Sequence, residues 1–218
     1  MKKILCACLA LILCLACAGC KERVDPYEGV PNPEFVITMK NGQVMRGELF
    51  IAQAPNTVGN FIELANGGFY DGLGFYRLVA GRFIQTGDPL EDGTGGPGYA
   101  IKGEFSKNGV KNGVQHTQGT LSMARTSDYN SAGSQFFILQ RAFAEYDGEY
   151  AAFGRLTDAE SLVTLDAIAS TATDGSYRPL LPQVIDTIRV DTHGYVFPVV
   201  KIYPPEEKEE EKEEKEGA

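Results

Sequence analysis

The sequence contains few of the side chains that carry covalent, redox or metal chemistry. It has two histidines, His116 and His193, and no tryptophan. All five cysteines lie within the first 20 residues: Cys6, Cys8, Cys14, Cys17 and Cys20. The region that could fold therefore has no disulfide, no thiolate nucleophile and no thiolate metal site. A zinc centre or a Ser–His–Asp triad would also have little material to draw on.

A cationic surface is missing as well. The formal net charge is −9 at pH 7, which argues against a nucleic-acid-binding protein because phosphates require a positive face. With 218 residues, of which 43% are hydrophobic, the chain can build one sizeable core or at most two small ones.

The N-terminus has the pattern of an export signal. Lys2 and Lys3 precede an apolar run over residues 4–18, which is too short for a comfortable membrane span. The run ends in Ala18-Gly19-Cys20, which resembles a bacterial lipobox, although Cys17 stands where Leu is usual. We predict a signal peptide over residues 1–19 and lipidation of Cys20. Lipidation at Cys17, an ordinary cleaved signal and an uncleaved anchor are the alternatives.

The two segments that flank the predicted domain are polar. Residues 20–33 contain three prolines and are predicted to be a lipidated tether. Residues 206–216 contain eight Glu and three Lys and cannot bury apolar surface, so residues 201–218 are predicted to form a disordered acidic tail. The folded domain is therefore expected over residues 34–200.

Within this domain the dominant hydrophobic period is two. Phe35, Ile37 and Met39 alternate with more polar residues, and Asn41-Gly42 is a strong hairpin signal. Many short strands with Gly-rich connectors predict a β-barrel or a compact sandwich. The strands are expected at about 35–40, 43–51, 74–79, 82–86, 99–102, 119–124, 134–139, 151–156 and 184–191.

Two segments have helical periodicity instead. Residues 55–66 place Val58, Phe61, Ile62 and Ala65 on one face, with Pro55 suited to the first turn. The second segment opens with a predicted capping box, Thr157-Asp158-Ala159-Glu160, and runs to about Ser170, with Leu162, Leu165 and Ala169 inward.

Two motifs that could indicate nucleotide binding or catalysis are assigned structural roles instead. Residues 93–98 satisfy G-x-G-x-x-G, but Pro97 and a strand-like segment follow where a dinucleotide site needs a helix start. A tight glycine loop is the prediction. His116, in a turn-to-strand context, is expected to form structural hydrogen bonds rather than to act in catalysis.

The informative segments are residues 75–88 and 121–139. Alternate residues of a strand share a face, so Phe83 lies beside Gln85, and Gln135 beside Phe137. If Arg77 joins them, the result is an apolar pocket rimmed by a guanidinium and two amides, which suits a peptide backbone. The alternative is that the two rings only pack in the core.

These segments resemble the cyclophilin-type peptidyl-prolyl cis–trans isomerases. The resemblance rests on FYRLVAGRFIQTGD, GTGGPGYAIKGEF, LSMA…GSQFFI and YDGEYAAFG, and it extends over about residues 34–192 in colinear order. It implies a mainly β fold, a closed eight-stranded antiparallel barrel capped by two α-helices. It also implies rotation of X–Pro bonds without a metal or another cofactor.

The resemblance also assigns site residues. Arg77 matches the catalytic arginine, and Gln85 and Phe137 are expected to act with it. Arg82 stands where the family usually has Phe, Tyr146 where animal members have Leu, and Tyr150 where they have a groove His. Glu145 replaces the Trp of animal members. The implied substrate-binding residues are Phe83, Arg82, Ala124, Arg125, Gln135, Tyr146 and Tyr150.

The predicted function is isomerisation of proline-containing, exported polypeptides by a monomeric lipoprotein outside the cytoplasm, which assists their folding. The alternative is a binding module that holds proline-containing segments with little turnover. A surface lipoprotein that serves adhesion is a third possibility, for which no residue pattern speaks.

Overall fold

The computed structural model describes residues 27–204. The chain forms two units, Met1–Val30 and Pro31–Ala218. In the first unit, residues 27–30 form a turn in which the Val30 amide donates to the Tyr27 carbonyl. The predicted signal peptide, the predicted lipidation site Cys20 and residues 205–218 of the predicted tail lie outside the described residues.

Within residues 27–204 the second unit contains eight strands, all paired antiparallel, in one sheet. The order across the sheet is β3-β4-β6-β5-β7-β2-β1-β8. The strands are β1 Glu34–Met39, β2 Val44–Leu49, β3 Arg77–Val79, β4 Phe83–Thr86, β5 Thr120–Met123, β6 Phe136–Leu139, β7 Ala152–Leu156 and β8 Ile185–Asp191.

The sheet curls into a half-barrel whose end strands are β3 and β8. Residues that precede these strands bridge the seam: Gly74 pairs with Val184, and the Phe75 amide donates to the Gln183 carbonyl at 2.8 Å. The prediction of a mainly β fold with eight antiparallel strands is confirmed. The prediction of a closed barrel implied a continuous ring of strands. The structure has a half-barrel instead, with a short bridge between its two ends.

The first hairpin shows how the sequence sets the register. Phe35, Ile37 and Met39 are buried, and Gly42 turns the chain with φ 86°, a conformation that glycine adopts without steric cost. On β2, a Cβ at Gly47 would lie 2.4 Å from Cζ of Phe35. Glycine therefore lets the Phe35 ring lie directly on the neighbouring strand.

Helix α1, Pro55–Asn66, has the predicted bounds. Val58, Phe61 and Ala65 are buried, and Ile62 is half-buried. The Phe61 ring contacts four aromatic rings of the core: those of Tyr70, Phe136 and Phe153, with centroids 5.3–5.5 Å away, and that of Phe35 at 6.2 Å.

Helix α2, Ala159–Ala169, differs from the prediction at its start. Asp158, not Thr157, is the N-cap, and its carboxylate accepts hydrogen bonds from the amide and the hydroxyl of Ser161. Leu165 and Ala169 are buried, whereas Leu162 is half-buried. Two short 3-10 helices, Ser106–Asn108 and Ala144–Tyr146, complete the described helices. No helix in residues 27–204 is long and apolar enough to cross a membrane.

The strand predicted at 99–102 is wrong. This segment forms two isolated bridges, Ala100 with Ile202 and Ile101 with Ala132. The bridge to Ile202 belongs to a C-terminal strap, residues 193–204, whose Val200 exchanges two hydrogen bonds with the Asn56 side chain. The domain boundary predicted at residue 200 falls inside this strap.

Candidate active site

Two adjoining cavities open on one side of the half-barrel. The small cavity has a volume of about 260 Å³ and the large cavity about 1390 Å³. Four residues line both: Arg77, Gln85, Ala124 and Arg125. The remaining lining of the small cavity is Val79, Arg82, Phe83, Phe137, Tyr146, Tyr150 and Tyr177. The two cavities thus form one groove with a shared centre.

Strand register places the polar and apolar groups of the groove. Gln85 on β4 is paired with Arg77 on β3 and with Phe137 on β6. Because side chains alternate along a strand, Phe83 lies on the same face as Gln85. The rings of Phe83 and Phe137 lie 5.4 Å apart between centroids. The structure therefore brings both predicted ring–amide pairs together: Gln135 lines the large cavity, and the two rings line the small one.

Arg77 stands at the junction of the two cavities and is exposed. Its guanidinium carbon lies 5.2 Å from the centroid of the Phe83 ring, and Nη1 donates to Oε1 of Gln85 at 3.2 Å. Arg77 forms no salt bridge with any carboxylate of residues 27–204. Since a guanidinium has five N–H donors, donors remain for a ligand in the groove.

A network of hydrogen bonds among Gln85, Tyr76 and Gln135, here called the amide relay, fixes the amide that orients Arg77. Nε2 of Gln85 donates to the Tyr76 hydroxyl at 2.7 Å and to Oε1 of Gln135 at 3.0 Å. The Tyr76 hydroxyl also donates to Oε1 of Gln135, at 2.6 Å. Nε2 of Gln135 donates in turn to the carbonyls of Gly93 and Gly95. Because Nε2 of Gln85 is held in this way, its Oε1 is directed at Arg77.

Tyr76 is a member of this relay that the sequence analysis missed. It is 8% exposed, and its burial raises the pKa of the phenol to about 12. The hydroxyl therefore stays protonated and remains a donor at neutral pH. In the sequence, a tyrosine beside Arg77 resembles any core aromatic residue, because its hydrogen-bond partner Gln135 lies 59 residues away.

The apolar wall of the small cavity is a cluster of aromatic rings. Phe137 contacts Tyr146 and Tyr150, with centroids 5.8 and 5.7 Å away. Tyr146 also stacks on Phe143, which the sequence analysis did not single out. The predicted wall residues Tyr146 and Tyr150 are thus in place around Phe137.

Arg125 lines both cavities, and contacts with the protein hold its guanidinium against the aromatic wall. The side chain is 11% exposed and donates to the carbonyls of Glu149 and Thr126. Its guanidinium carbon lies 4.7 Å from the centroid of the Tyr150 ring. The groove-facing contribution expected of Arg125 is therefore its backbone. Ala124, the preceding residue, donates its amide to the Gln135 carbonyl at 2.9 Å.

Arg82 lies at the outer edge of the small cavity. It is exposed, and its guanidinium carbon is 4.8 Å from the centroid of the Phe143 ring. A positive charge is thus held next to the aromatic wall, at a position where the family usually has Phe. Glu145, in the short helix before Tyr146, is exposed and lines neither cavity.

The glycine-rich segment 93–98 forms a loop along the large cavity. The buried carboxylate of Asp88 accepts hydrogen bonds from the amides of Leu90, Asp92 and Gly93. The first helix after this loop is the three-residue Ser106–Asn108, so the loop does not lead into an α-helix as a dinucleotide site requires. Within residues 27–204, no cluster of three His, Cys, Asp or Glu side chains could hold a metal ion.

Comparisons with known proteins agree with this geometry. The family model described as "Cyclophilin type peptidyl-prolyl cis-trans isomerase/CLD" matches residues 35–190. A peptidyl-prolyl cis-trans isomerase of Helicobacter pylori is 46% identical over 121 residues, which are 56% of this chain and 71% of that protein. Peptidyl-prolyl cis-trans isomerase A of Mycobacterium tuberculosis is 37% identical over 182 residues, covering 75% of this chain and 97% of the relative.

A similar solved structure is a cyclophilin-type peptidyl-prolyl cis-trans isomerase of Cryptosporidium parvum. It superimposes with a TM-score of 0.65 at 31% identity, over 74% of this chain and 98% of that one. The same isomerase solved in the presence of the dipeptide Ala-Pro gives a TM-score of 0.64 at 32% identity, over 72% of this chain and 98% of that one.

Proposed function

The chain belongs to the cyclophilin-type peptidyl-prolyl cis–trans isomerases, and we propose that Arg77 is the residue with which it accelerates rotation about X–Pro bonds. One observation carries this assignment. The Arg77 guanidinium is exposed, has no carboxylate partner in the described residues, and stands where the aromatic cavity meets the amide relay.

The reaction requires stabilisation of a twisted amide and no covalent intermediate. Conjugation between nitrogen and carbonyl resists rotation by roughly 18–20 kcal/mol. When the bond twists, the prolyl nitrogen becomes pyramidal and gains a lone pair that accepts a hydrogen bond. A fixed cationic donor beside that nitrogen lowers the barrier, because it binds the twisted state better than either planar isomer.

The groove offers the groups that such a step needs. The proline ring would bind in the small cavity against Phe83, Phe137 and Tyr146, and Arg77 would donate to the prolyl nitrogen or the neighbouring carbonyl. Gln85, Gln135 and the backbone of Arg125 would hold the flanking chain. The Ala-Pro dipeptide present with the Cryptosporidium structure supports a proline-containing ligand for this fold.

The magnitudes are sufficient for catalysis. A hydrogen bond to a charged group contributes about 1.5–3 kcal/mol. Two such bonds formed preferentially in the twisted state would lower the barrier by about 3–6 kcal/mol, which corresponds to roughly two to four decades in rate.

The test is turnover of a proline-containing peptide by the full chain in detergent, with Arg77→Ala and Arg77→Lys variants. We expect Arg77→Ala to keep the far-UV circular dichroism and melting temperature of the wild type and to lose most of its activity. Arg77→Lys keeps the charge but not the planar fork, and should fall between them. Activity of Arg77→Ala within twofold of wild type would remove Arg77 from the mechanism. Tight peptide binding by a wild type without turnover would instead favour the binding module.

We also propose that the isomerase acts outside the cytoplasm as a monomer anchored through a lipid on Cys20, where it assists the folding of exported polypeptides. The charged start, the apolar run and Ala18-Gly19-Cys20 support this location.

Expression of the full chain in a bacterium, followed by membrane fractionation, tests the lipid anchor. Cys20→Ala should prevent attachment of the lipid and so remove the protein from the membrane fraction. The control Cys17→Ala should stay in that fraction. Equal labelling of both variants by a fatty-acid analogue would contradict the assignment, and a mass of more than one chain by light scattering would contradict the monomer.

A further inference from the structure

The loop between α2 and β8 contributes a residue to the small cavity that no motif indicated. This loop folds back on itself. Thr173 pairs with Pro179, and the Asp174 amide donates to the Arg178 carbonyl at 2.9 Å. At the tip of the loop lies Tyr177, which lines the small cavity. The neighbouring Arg178 lines the large cavity instead, so the tip reaches both halves of the groove.

The backbone of Tyr177 is held in an unusual conformation. Its φ is 63°, in the left-handed region that glycine adopts readily and that a bulky L residue avoids. Four hydrogen bonds maintain it. The Tyr177 amide donates to the Asp174 carbonyl, and the Asp174 carboxylate accepts from the amides of Ser176 and Arg178. The Leu78 amide on β3 donates to the Tyr177 carbonyl at 2.8 Å.

This last hydrogen bond ties the loop to the strand that carries Arg77, so Tyr177 is fixed relative to the centre of the groove. Packing of the interior does not account for the ring, because Tyr177 is 49% exposed. By contrast, the relay residue Tyr76 is 8% exposed. A strained backbone that presents a half-exposed ring to a ligand cavity is the pattern expected of a functional position.

We propose that Tyr177 is a substrate-binding residue that determines specificity for the residue next to proline. The seat of the proline ring consists of Phe83, Phe137 and Tyr146, and Tyr177 extends the cavity lining beyond that seat, as does Val79. Its ring offers a flat apolar face to the neighbouring side chain of the peptide. The favoured substrates are therefore X–Pro segments in which a large apolar or aromatic residue adjoins the proline. This inference rests on the proposed isomerase mechanism.

The test compares the full chain in detergent with Tyr177→Gly and Tyr177→Phe. Two peptide pairs are used, with either Phe or Gly directly before the proline or directly after it. In one pair, Tyr177→Gly should reduce the preference in kcat/KM for Phe over Gly by about 2- to 10-fold, the range expected for one aromatic contact. Tyr177→Phe, which retains the ring, should restore that preference.

A backbone control separates ring contact from loop geometry. His193 also has a left-handed backbone, with φ 52°, is exposed and lines neither cavity. His193→Gly should leave the preference as it is in the wild type. Tyr177→Gly should melt no lower than the wild type, because glycine relieves the left-handed strain. A structural role of the ring predicts the reverse, a lower melting temperature with an unchanged preference.

The proposal is overturned if Tyr177→Gly has the wild-type preference in both peptide pairs, or if Tyr177→Phe loses as much preference as Tyr177→Gly. Failure of the isomerase mechanism would look different, since the wild type would then turn over no better than Arg77→Ala. In that case the ratio of Kd values for the same peptides, measured by calorimetry, decides the role of Tyr177 by the same criteria.

Discussion

The imidazole of His116 lies against the back of Phe137, with ring centroids 6.4 Å apart and planes 23° from parallel. His116 is 2% exposed, and both ring nitrogens have partners at 2.9 Å. Nδ1 is hydrogen-bonded to the Asp147 carboxylate and Nε2 to the Ser122 hydroxyl. The same imidazole meets the edge of Tyr146 at 5.9 Å. A buried polar ring thus supports the aromatic wall of the small cavity, in the structural role that the sequence analysis expected.

This support predicts a pH dependence of stability. Burial lowers the pKa of His116 from its ordinary value of 6.5, and it outweighs the opposing effect of Asp147, which favours the charged ring. The unfolded chain therefore binds a proton at a higher pH than the folded one. The contribution to stability is complete above pH 6.5 and is lost as the pH falls through the lower folded-state pKa.

His116→Gln should remove the contribution of His116 to the change in unfolding free energy between pH 7 and pH 5. It should also lower the free energy of unfolding at pH 7 by about 1–3 kcal/mol, because a buried hydrogen-bonding group loses its partners. Urea unfolding at several pH values measures both effects. His193→Gln, at an exposed position, is the matched control. An unchanged slope in His116→Gln would refute the titration argument.

A second prediction concerns Arg82 at the outer edge of the small cavity. Its exposed charge beside Phe143 should favour peptides with an acidic residue near the proline. At low ionic strength we expect a preference of about twofold to fivefold for Glu over Lys, the range of a solvent-exposed ion pair. Added salt should remove it.

Peptidase-coupled assays with Glu- and Lys-flanked peptides measure this preference. Arg82→Ala should abolish it, whereas Arg46→Ala should not, because Arg46 is an exposed arginine that lines neither cavity. Equal turnover of the two peptides by the wild type at low salt would count against a role for Arg82.

A third prediction separates stability from activity. The Asp158 carboxylate caps α2 through the Ser161 amide at 2.7 Å. Asp158→Ala should cost about 1 kcal/mol and lower the melting temperature by roughly 2–4 °C. Turnover at 25 °C should stay within twofold of wild type, because no residue of α2 lines either cavity. Asp186→Ala, at an exposed position on β8, is the control. A large loss of activity in Asp158→Ala would show that α2 is coupled to the groove.

Local chemistry was enough to predict much of the fold. Helix α1 has its predicted bounds because Pro55 suits a first turn and Gly67 follows the last residue. At α2 both Thr157 and Asp158 are capable N-caps, and only the packed structure selects Asp158. The segment at 99–102 has a strand-like composition, but a strand also needs continuous partners. Ile202 and Ala132 provide one bridge each.

By itself the sequence determined which side chains share a face. Alternation along a strand is a property of the backbone, so Phe83 lies beside Gln85 whatever surrounds them. Tertiary structure alone decided how these faces meet. Pairing of β3, β4 and β6 sets Gln85 between Arg77 and Phe137, and a loop about a hundred residues further along the chain brings Tyr177 to the same cavity. Such contacts depend on strand register and loop closure, which no local pattern encodes.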